Sequence, residues 1–489
     1  MMTQILQPPA VDHAEAPHTL LEPPPRALRL VDQLGLWGNL GVSLLGFTGA
    51  IFVLVPVSEP GLSLAAAVTA LLLGTMLGTL GVAAAAVPGA RTGAPSMVLL
   101  RGLFGTRASY LPTALNILQL VGWTTFELVT IGTALHQLAG DIPRWAYILT
   151  AGVLTTLLAL RPLGWIRVLR KYVTVAVLIA LGYLFVQLLR HPLPAFGHGS
   201  WNGFWIAVDT VIGVSVSWVP LASDYSRHAR SAGQAFTGVL VGYSVTQIVC
   251  YALGLVTLVT VAQHDPDRIF SSFMAVPLGT LAFAVIALRE LDQSFADTYS
   301  TAVSLQNFRP GWDRRILAVL VGTLATICAL ALNISDYENF LILIGSVFVP
   351  LLGVLVVDYF IVSRMQWDLS ENVRPRWVTL LPWALGFCAY QLINPGSISW
   401  WSTAWGHVQT WLDFTPASWM SASLLSFLVA ALATLAAGLV QRPRQRSVRA
   451  DPPGGRGRTA SRPTGRRPGE HADQPRAGSA GQSAGRPRS

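Results

Sequence analysis

The feature that most constrains this chain is a series of long apolar runs. Crossing the hydrocarbon core of a bilayer takes about 20 residues of α-helix. Inside lipid every backbone N–H and C=O must be paired within its own segment, so runs of this length predict helices. We predict about twelve spans, near residues 36–55, 64–87, 111–138, 145–161, 168–189, 204–222, 235–262, 274–304, 316–332, 339–361, 377–393 and 416–440. The expected fold class is an all-α integral membrane protein.

The composition agrees with lipid as the solvent for this surface. Hydrophobic residues make up 52% of the 489 residues and charged residues 12%, whereas a soluble protein carries about 25% charged residues. The formal net charge of +9 is accounted for by residues 441–489, which hold twelve Arg and three acids. We expect 441–489 and the polar residues 1–30 to be disordered tails, the first lying near lipid headgroups and not binding nucleic acid.

The basic residues of the connecting segments predict the orientation. With the N-terminus inside, the opposite side keeps Arg144, Arg190 and Arg268. The cytoplasmic segments then hold Arg26, Arg29, Arg91, Arg101, Arg107, Arg161, Arg167, Arg170, Lys171, Arg227, Arg230, Arg309, Arg314, Arg315, Arg364, Arg374 and Arg376. By the positive-inside rule we expect a multi-pass protein of the cell (plasma or inner) membrane with both termini in the cytoplasm.

The predicted loops are short and carry no phosphate-binding loop, metal cluster or nucleophile constellation. We therefore expect no enzyme, cofactor, metal or obligate protein partner, and any chemistry to lie within the membrane. A membrane enzyme, a channel and a solute sensor are the alternatives to a transporter. An enzyme would need a nucleophile–base pair, and a sensor would need a signalling domain.

Two spans are poorly suited to being simple helices. The first is rich in glycine, and the sixth contains Gly213 and Pro220. Interrupted segments at corresponding places in two halves indicate discontinuous helices around a site at the membrane midplane, although glycine also serves close packing. The residues at these interruptions are Gly38, Asn39, Gly41, Ser43, Ser215, Ser217 and Trp218.

Charged side chains inside spans are costly unless they are paired or face water. In the third span Glu127 follows Trp123 by four residues, so the two share a helix face. An aromatic platform beside a carboxylate suits a flat, hydrogen-bonding heterocycle. Alternatively, Glu127 is protonated and bonded to a neighbouring helix.

The eighth span carries a dense polar cluster. Arg289 and Asp292 are spaced to pair at i, i+3, and Ser294 and Asp297 are also three residues apart. One internal ion pair is expected to be structural, but the whole cluster suggests a functional role.

Several motifs in order resemble the cytosine/purine permease branch of the nucleobase–cation symporter-1 class. They cover roughly residues 26–440 and exclude both tails. The matching segments are Gly89-Ala-Arg-Thr-Gly-Ala-Pro-Ser-Met-Val, Arg101, Phe104-Gly105, Leu111-Pro-Thr-Ala-Leu-Asn, Gly122-Trp123, Ser223-Asp-Tyr-Ser-Arg, Asp297-Thr-Tyr-Ser, Gly345, Pro350 and Asp358-Tyr359-Phe360.

The resemblance implies a five-plus-five inverted repeat of the leucine-transporter type within a transporter domain over residues 31–440. Repeat one would cover about 31–190, repeat two about 200–362, and two extra helices about 377–440. The solute would lie between spans one, three, six and eight. The implied substrate-binding residues are Trp123, Glu127, Asn39, Ser43, Ser215, Ser217, Trp218 and Ser294.

The residues expected at the site of the coupling ion differ from those of sodium-coupled members of the class. These place small neutral oxygen ligands on the eighth span, where this chain has Arg289, Asp292 and Gln293. A cation there would repel sodium, so proton coupling is favoured, with Asp292, Asp297 or Glu127 as the titrating group. Gly38 and Gly41 would supply or neighbour cation-coordinating carbonyls, and sodium coupling is the alternative. The expected solute is cytosine, a purine, or a hydroxymethylpyrimidine-like or hydantoin-like ring.

Overall fold

The structure is a computed structural model that describes residues 15–56, 61–168, 172–197, 199–331 and 337–448. Of the predicted tails, 1–30 and 441–489, residues 1–14 and 449–489 lie outside the described residues, as do Arg170 and Lys171. The chain divides into the units Met1–Gln441 and Arg442–Ser489. Within the described residues the regular structure is helical, apart from two isolated β-bridges.

The helices of the first half correspond to the first five predicted spans and their connections. They are α1 (Leu30–Leu40), α2 (Leu44–Gly49), α3 (Ile51–Leu54), α4 (Leu64–Thr92), α5 (Ser96–Phe104), α6 (Tyr110–Ala139), α7 (Arg144–Leu160), α8 (Pro162–Val168) and α9 (Thr174–Leu188).

The second half continues the pattern to the end of the described chain. Its helices are α10 (Phe204–Val216), α11 (Ala222–Ser226), α12 (Ala232–Thr260), α13 (Ile269–Ala275), α14 (Gly279–Arg289), α15 (Leu291–Leu305), α16 (Arg314–Ala331), α17 (Tyr337–Val356), α18 (Leu380–Ile393), α19 (Ser399–Trp411) and α20 (Ala422–Val448).

Each of the twelve predicted apolar runs contains a helix, and the fold class is confirmed. Among the described residues, seven helices are long and apolar enough to cross a membrane, or nine if two bent pairs each count as one span. The bent pairs are α1 with α2–α3, at 54°, and α7 with α8, at 104°. The predicted eighth run differs from a single span, because it divides at Glu290 into α14 and α15.

Helix packing forms two groups. Helices α10 and α12 pack against α4, and α1 packs against α12, whereas α6, α7, α15 and α16 pack together. Small residues permit the close contacts. A Cβ atom added to Gly74 of α4, for example, would lie 2.7 Å from the Cβ atom of Val211 on α10. The first group contains both interrupted spans and the second contains the charged third and eighth spans, so the predicted site residues meet between the groups.

Asp209 of α10 forms hydrogen bonds with the first residues of the last helix, α20. It is buried on α10 and accepts hydrogen bonds from the backbone N–H of Ala422 at 2.7 Å and of Ser423 at 3.1 Å, and one from the Ser421 hydroxyl. These donors begin α20, and a carboxylate at a helix N-terminus satisfies N–H groups that have no partner within the helix.

Candidate functional site

The first span is broken where sequence analysis predicted. Helix α1 ends at Leu40 and α2 begins at Leu44, with Ser43 in extended conformation as its N-cap. The Ser43 hydroxyl accepts a hydrogen bond from the Leu45 N–H at 3.1 Å. The break leaves carbonyl groups of the α1 end without helical partners, available to other parts of the protein.

Gly41 lets this break approach α12. A Cβ atom at Gly41 would lie 2.6 Å from the Tyr243 carbonyl oxygen and would also overlap the Thr246 hydroxyl. A Cβ atom at Gly38, one turn earlier, would find its nearest neighbours at 3.8 Å, which is ordinary contact.

These two glycines give a matched test of the packing. We expect Gly41→Ala to destabilise the protein by roughly 1–3 kcal/mol through overpacking against fixed backbone, and Gly38→Ala to have little effect. The measurement is the melting temperature of the purified protein in detergent. Equal melting temperatures for the two variants would contradict the close approach of the break to α12.

The sixth span is also interrupted. Helix α10 ends at Val216 and a 3-10 turn that contains Pro220 leads into α11. Two amide side chains of α6 bond the carbonyl groups near the interruption: Gln119 donates to the Ser217 carbonyl at 3.1 Å, and Asn116 to the Pro220 carbonyl at 3.5 Å. Sequence analysis gave neither amide a role, although both are polar residues inside a predicted span.

A buried cavity of about 30 Å³ lies between the two interruptions. The residues that line it come from five of the predicted spans, the first, third, sixth, seventh and eighth, and from the first residue of α17. They are Leu40, Gly41, Ser43, Gly46, Trp123, Glu127, Val214, Ser217, Trp218, Leu221, Tyr243, Gln247, Cys250, Tyr251, Gln293, Asp297 and Tyr337.

Aromatic rings form much of the cavity wall. Trp123 packs edge-on against Tyr337, with ring centroids 5.9 Å apart. Trp218 packs edge-on against Tyr243, with ring centroids 6.2 Å apart. Such rings present flat, apolar faces and, in Trp and Tyr, a polar edge.

Four polar atoms of the cavity residues are buried without a hydrogen-bond partner among the described residues. They are Trp123 Nε1, Gln247 Nε2, Tyr251 Oη and Glu127 Oε2. Buried polar groups in proteins are usually paired, so each exception calls for an explanation. Together these atoms offer donors and an acceptor to a molecule that sits in the cavity.

Two carboxyl groups face one another across this cavity. Glu127 of α6 and Asp297 of α15 both line the cavity and are both buried, and the two carboxyl groups lie close enough to interact with each other. The two carboxyl groups can share a hydrogen bond only when one of them holds a proton, because an ionised carboxylate only accepts hydrogen bonds. Glu127 therefore lies at the cavity and beside a carboxyl group of another helix, and the alternative that it is protonated and bonded to that helix stays a prediction.

The structure thus brings together eight of the predicted site residues. These are Gly41, Ser43, Trp123, Glu127, Ser217, Trp218, Gln293 and Asp297.

The other predicted site residues lie outside the cavity wall. The Asn39 amide donates to Gly35 and Thr174, the Ser215 hydroxyl to Gln247, and the Ser294 hydroxyl bonds Thr155. Gly38 faces Gly242, and Asp292 accepts from Trp165 Nε1 at 3.1 Å.

The predicted ion pair between Arg289 and Asp292 is wrong, because Arg289 has a different partner. Arg289 instead forms an ion pair with Glu290, at 2.9 Å. The i, i+3 rule assumes an uninterrupted helix, but α14 ends at Arg289 and α15 begins at Leu291. Sequence analysis gave Glu290 no role, although it is a further acid inside an apolar run.

Comparison with known proteins gives a consistent result. The family model for permeases for cytosine/purines, uracil, thiamine and allantoin matches residues 39–377. YxlA of Bacillus subtilis (strain 168), a candidate purine-cytosine permease, is 23% identical over 362 residues, which cover 68% of this chain and 78% of YxlA. The cytosine permease of Escherichia coli (strain K12) is 24% identical over 312 residues, or 62% of this chain and 72% of that protein.

Among solved structures, the chain is similar to Mhp1, a nucleobase-cation-symport-1 family transporter, in a closed conformation with bromovinylhydantoin bound. The TM-score is 0.69 at 17% sequence identity, and the match covers 89% of this chain and 95% of Mhp1. At this identity the likeness establishes the fold.

Proposed function

Because this chain belongs to the family of permeases for cytosine/purines, uracil, thiamine and allantoin, we propose that it imports a nucleobase or a related heterocycle by proton symport. Members of this family are permeases, so the chain is a membrane transporter and not an enzyme. The observation that carries the substrate proposal is the set of unpartnered polar atoms in an aromatic-walled cavity between two interrupted helices.

The cavity chemistry fits a planar ring with N–H and C=O groups on its edge. Trp123 Nε1 and Gln247 Nε2 would donate to ring oxygen or nitrogen atoms, and Glu127 Oε2 would accept from a ring N–H. The faces of Trp123 and Trp218 would contact the ring plane. Cytosine, purines, hydroxymethylpyrimidine-like rings and hydantoin-like rings, such as the one bound to Mhp1, all meet this description.

Occupation of the site requires movement. A cavity of about 30 Å³ has room for one or two water molecules, so a heterocycle enters only when the aromatic walls separate. The two interrupted spans belong to one packing group, and Trp123 and Asp297 to the other. Rocking of one group against the other is the usual way in which such transporters open a central site to each side.

The paired carboxyl groups supply the proposed proton site. One proton held between Glu127 and Asp297 keeps the pair from carrying two negative charges in a buried position. A solute N–H that donates to Glu127 would replace the shared proton as the hydrogen-bond partner of that carboxyl group. Solute binding would thereby be linked to proton binding. Sodium-coupled symport of the same solutes is the alternative, and a membrane enzyme or sensor is a more distant one.

The location follows from the same proposal. A solute importer would belong in the cell (plasma or inner) membrane, and the basic loops predict both termini in the cytoplasm. The twelve-span count, the two repeats and the two extra helices remain part of this proposal.

An uptake panel tests the function. Cells that express the protein should accumulate at least one radiolabelled nucleobase or related heterocycle, and a protonophore should abolish the accumulation while replacement of sodium should not. Vector-only cells provide the control. If none of these solutes accumulates, the substrate proposal is wrong. Sodium dependence with indifference to the protonophore would favour the alternative coupling.

A further inference from the structure

Three polar side chains of the eighth predicted span occupy the break in the first span. Arg289 ends α14, Glu290 follows it, and Gln293 lies in the first turn of α15. All three are buried. Their contacts include several of the main-chain groups that the break exposes.

Arg289 and Gln293 bond the carbonyl groups at the end of α1. The Arg289 guanidinium donates to the Asn39 carbonyl oxygen. The Gln293 amide donates to the carbonyl oxygens of Leu40 at 2.8 Å and Val42 at 3.0 Å. The negative end of the α1 dipole therefore faces a fixed positive charge.

Glu290 bonds the other side of the break. Its carboxylate accepts from the Ser43 hydroxyl at 3.0 Å and from the Leu44 N–H at 3.0 Å. It also pairs with Arg289 at 2.9 Å, and both side chains are fully buried. The ion pair thus spans the break, with its cation at the end of α1 and its anion at the start of α2.

In transporters with discontinuous helices, the carbonyl groups of an unwound turn and the C-terminal end of a half-helix coordinate the coupling cation. Here the carbonyl oxygens of Asn39, Leu40 and Val42 accept hydrogen bonds from side chains instead. A second cation beside a buried guanidinium would meet strong repulsion, because little solvent screens the charges.

We infer that Arg289 is a tethered cation that takes the place of a coupling metal ion at the break of the first span. One consequence of this inference, sodium-independent uptake, rests on the proposed transport function. The physical content of the inference is that the native protein does not bind Na⁺ here, because the Arg289 guanidinium supplies the positive charge and bonds the Asn39 carbonyl oxygen while Gln293 bonds the Leu40 and Val42 carbonyl oxygens.

The test uses Arg289→Ser, with Arg289→Lys as the matched control that keeps a cation. Removal of the guanidinium leaves the Glu290 carboxylate without its cation and the Asn39 carbonyl oxygen without this donor. Carboxylate and carbonyl oxygens are ligands that suit a hard cation. We expect NaCl, compared with equimolar choline chloride, to raise the melting temperature of purified Arg289→Ser by at least about 2 °C. The wild type and Arg289→Lys should show no difference between the two salts.

A sodium-specific stabilisation of the wild-type protein would overturn the inference, and this measurement needs no variant that folds. An Arg289→Ser protein that folds but has the same melting temperature in NaCl and in choline chloride would also overturn the inference. No solute is used, so the result is independent of the uptake panel. If Na⁺ does not change the melting temperature of the wild type but the protein transports none of the heterocycles, the proposed function is wrong and the inference about Arg289 is retained.

Discussion

Asp297→Asn is expected to abolish proton-driven accumulation of solute while solute exchange across the membrane continues. The amide cannot bind or release a proton, so the proton that Glu127 and Asp297 are proposed to share loses one of its two sites. We expect accumulation to fall by about 100-fold or more, the scale on which loss of a proton-transfer group acts. The amide retains the size of the carboxyl group, so the cavity should still bind its solute.

The measurement compares two assays in proteoliposomes. The first is uptake driven by an imposed pH gradient, and the second is exchange of labelled against unlabelled solute without a gradient. Asp292→Asn is the matched control, because Asp292 is a buried aspartate of the same helix that bonds Trp165 away from the cavity. If Asp292→Asn lost the driven uptake and Asp297→Asn kept it, the proton site would be at Asp292 instead.

The second large effect is expected at Trp123. Its ring lies at the cavity between Glu127 on its own helix and Tyr337 on α17. Stacking of a base on an aromatic side chain contributes about 1–3 kcal/mol. Trp123→Ala should therefore raise the solute concentration at half-maximal uptake by roughly 5- to 150-fold.

Trp123→Phe separates stacking from hydrogen bonding. Phenylalanine keeps a flat ring but lacks the Nε1 donor, so it should recover most of the affinity for solutes that do not use this donor. Trp145→Ala, at an exposed position on α7, controls for the general effect of removing a tryptophan. An unchanged half-saturation concentration in Trp123→Ala would mean that the ring is structural and that another wall residue holds the solute.

The sequence predicted the location of the helices well, because the cost of unpaired backbone groups in lipid leaves few alternatives to a long apolar helix. It also predicted the two interruptions, because Pro220 removes a backbone donor and the glycines around Gly41 favour an irregular turn. Trp123 and Glu127 were found together, since a spacing of four residues on one helix fixes their common face.

Partners from different helices could not be predicted in this way. Ser215 and Ser217 are two residues apart, and only Ser217 lines the cavity, while Ser215 bonds Gln247. On the eighth span Asp297 reaches the cavity and Asp292 does not. Which face of a helix points to the site depends on its rotation against neighbours, and that rotation is set by packing across the whole bundle.

Sequence alone determined that lipid surrounds the protein and that the fold is helical, because both depend on local hydropathy. It also determined the segments in which the backbone departs from a helix, because these depend on the stereochemistry of single residues. Only the tertiary structure decided that Glu127 meets Asp297, that Gln247 and Tyr251 join the cavity, and that Arg289 pairs with Glu290 across the break in the first span. The reason is physical: a buried charge or amide is stabilised by whatever partner comes within hydrogen-bonding distance, and apart from the adjacent Arg289 and Glu290 these partners lie on helices far apart in the chain.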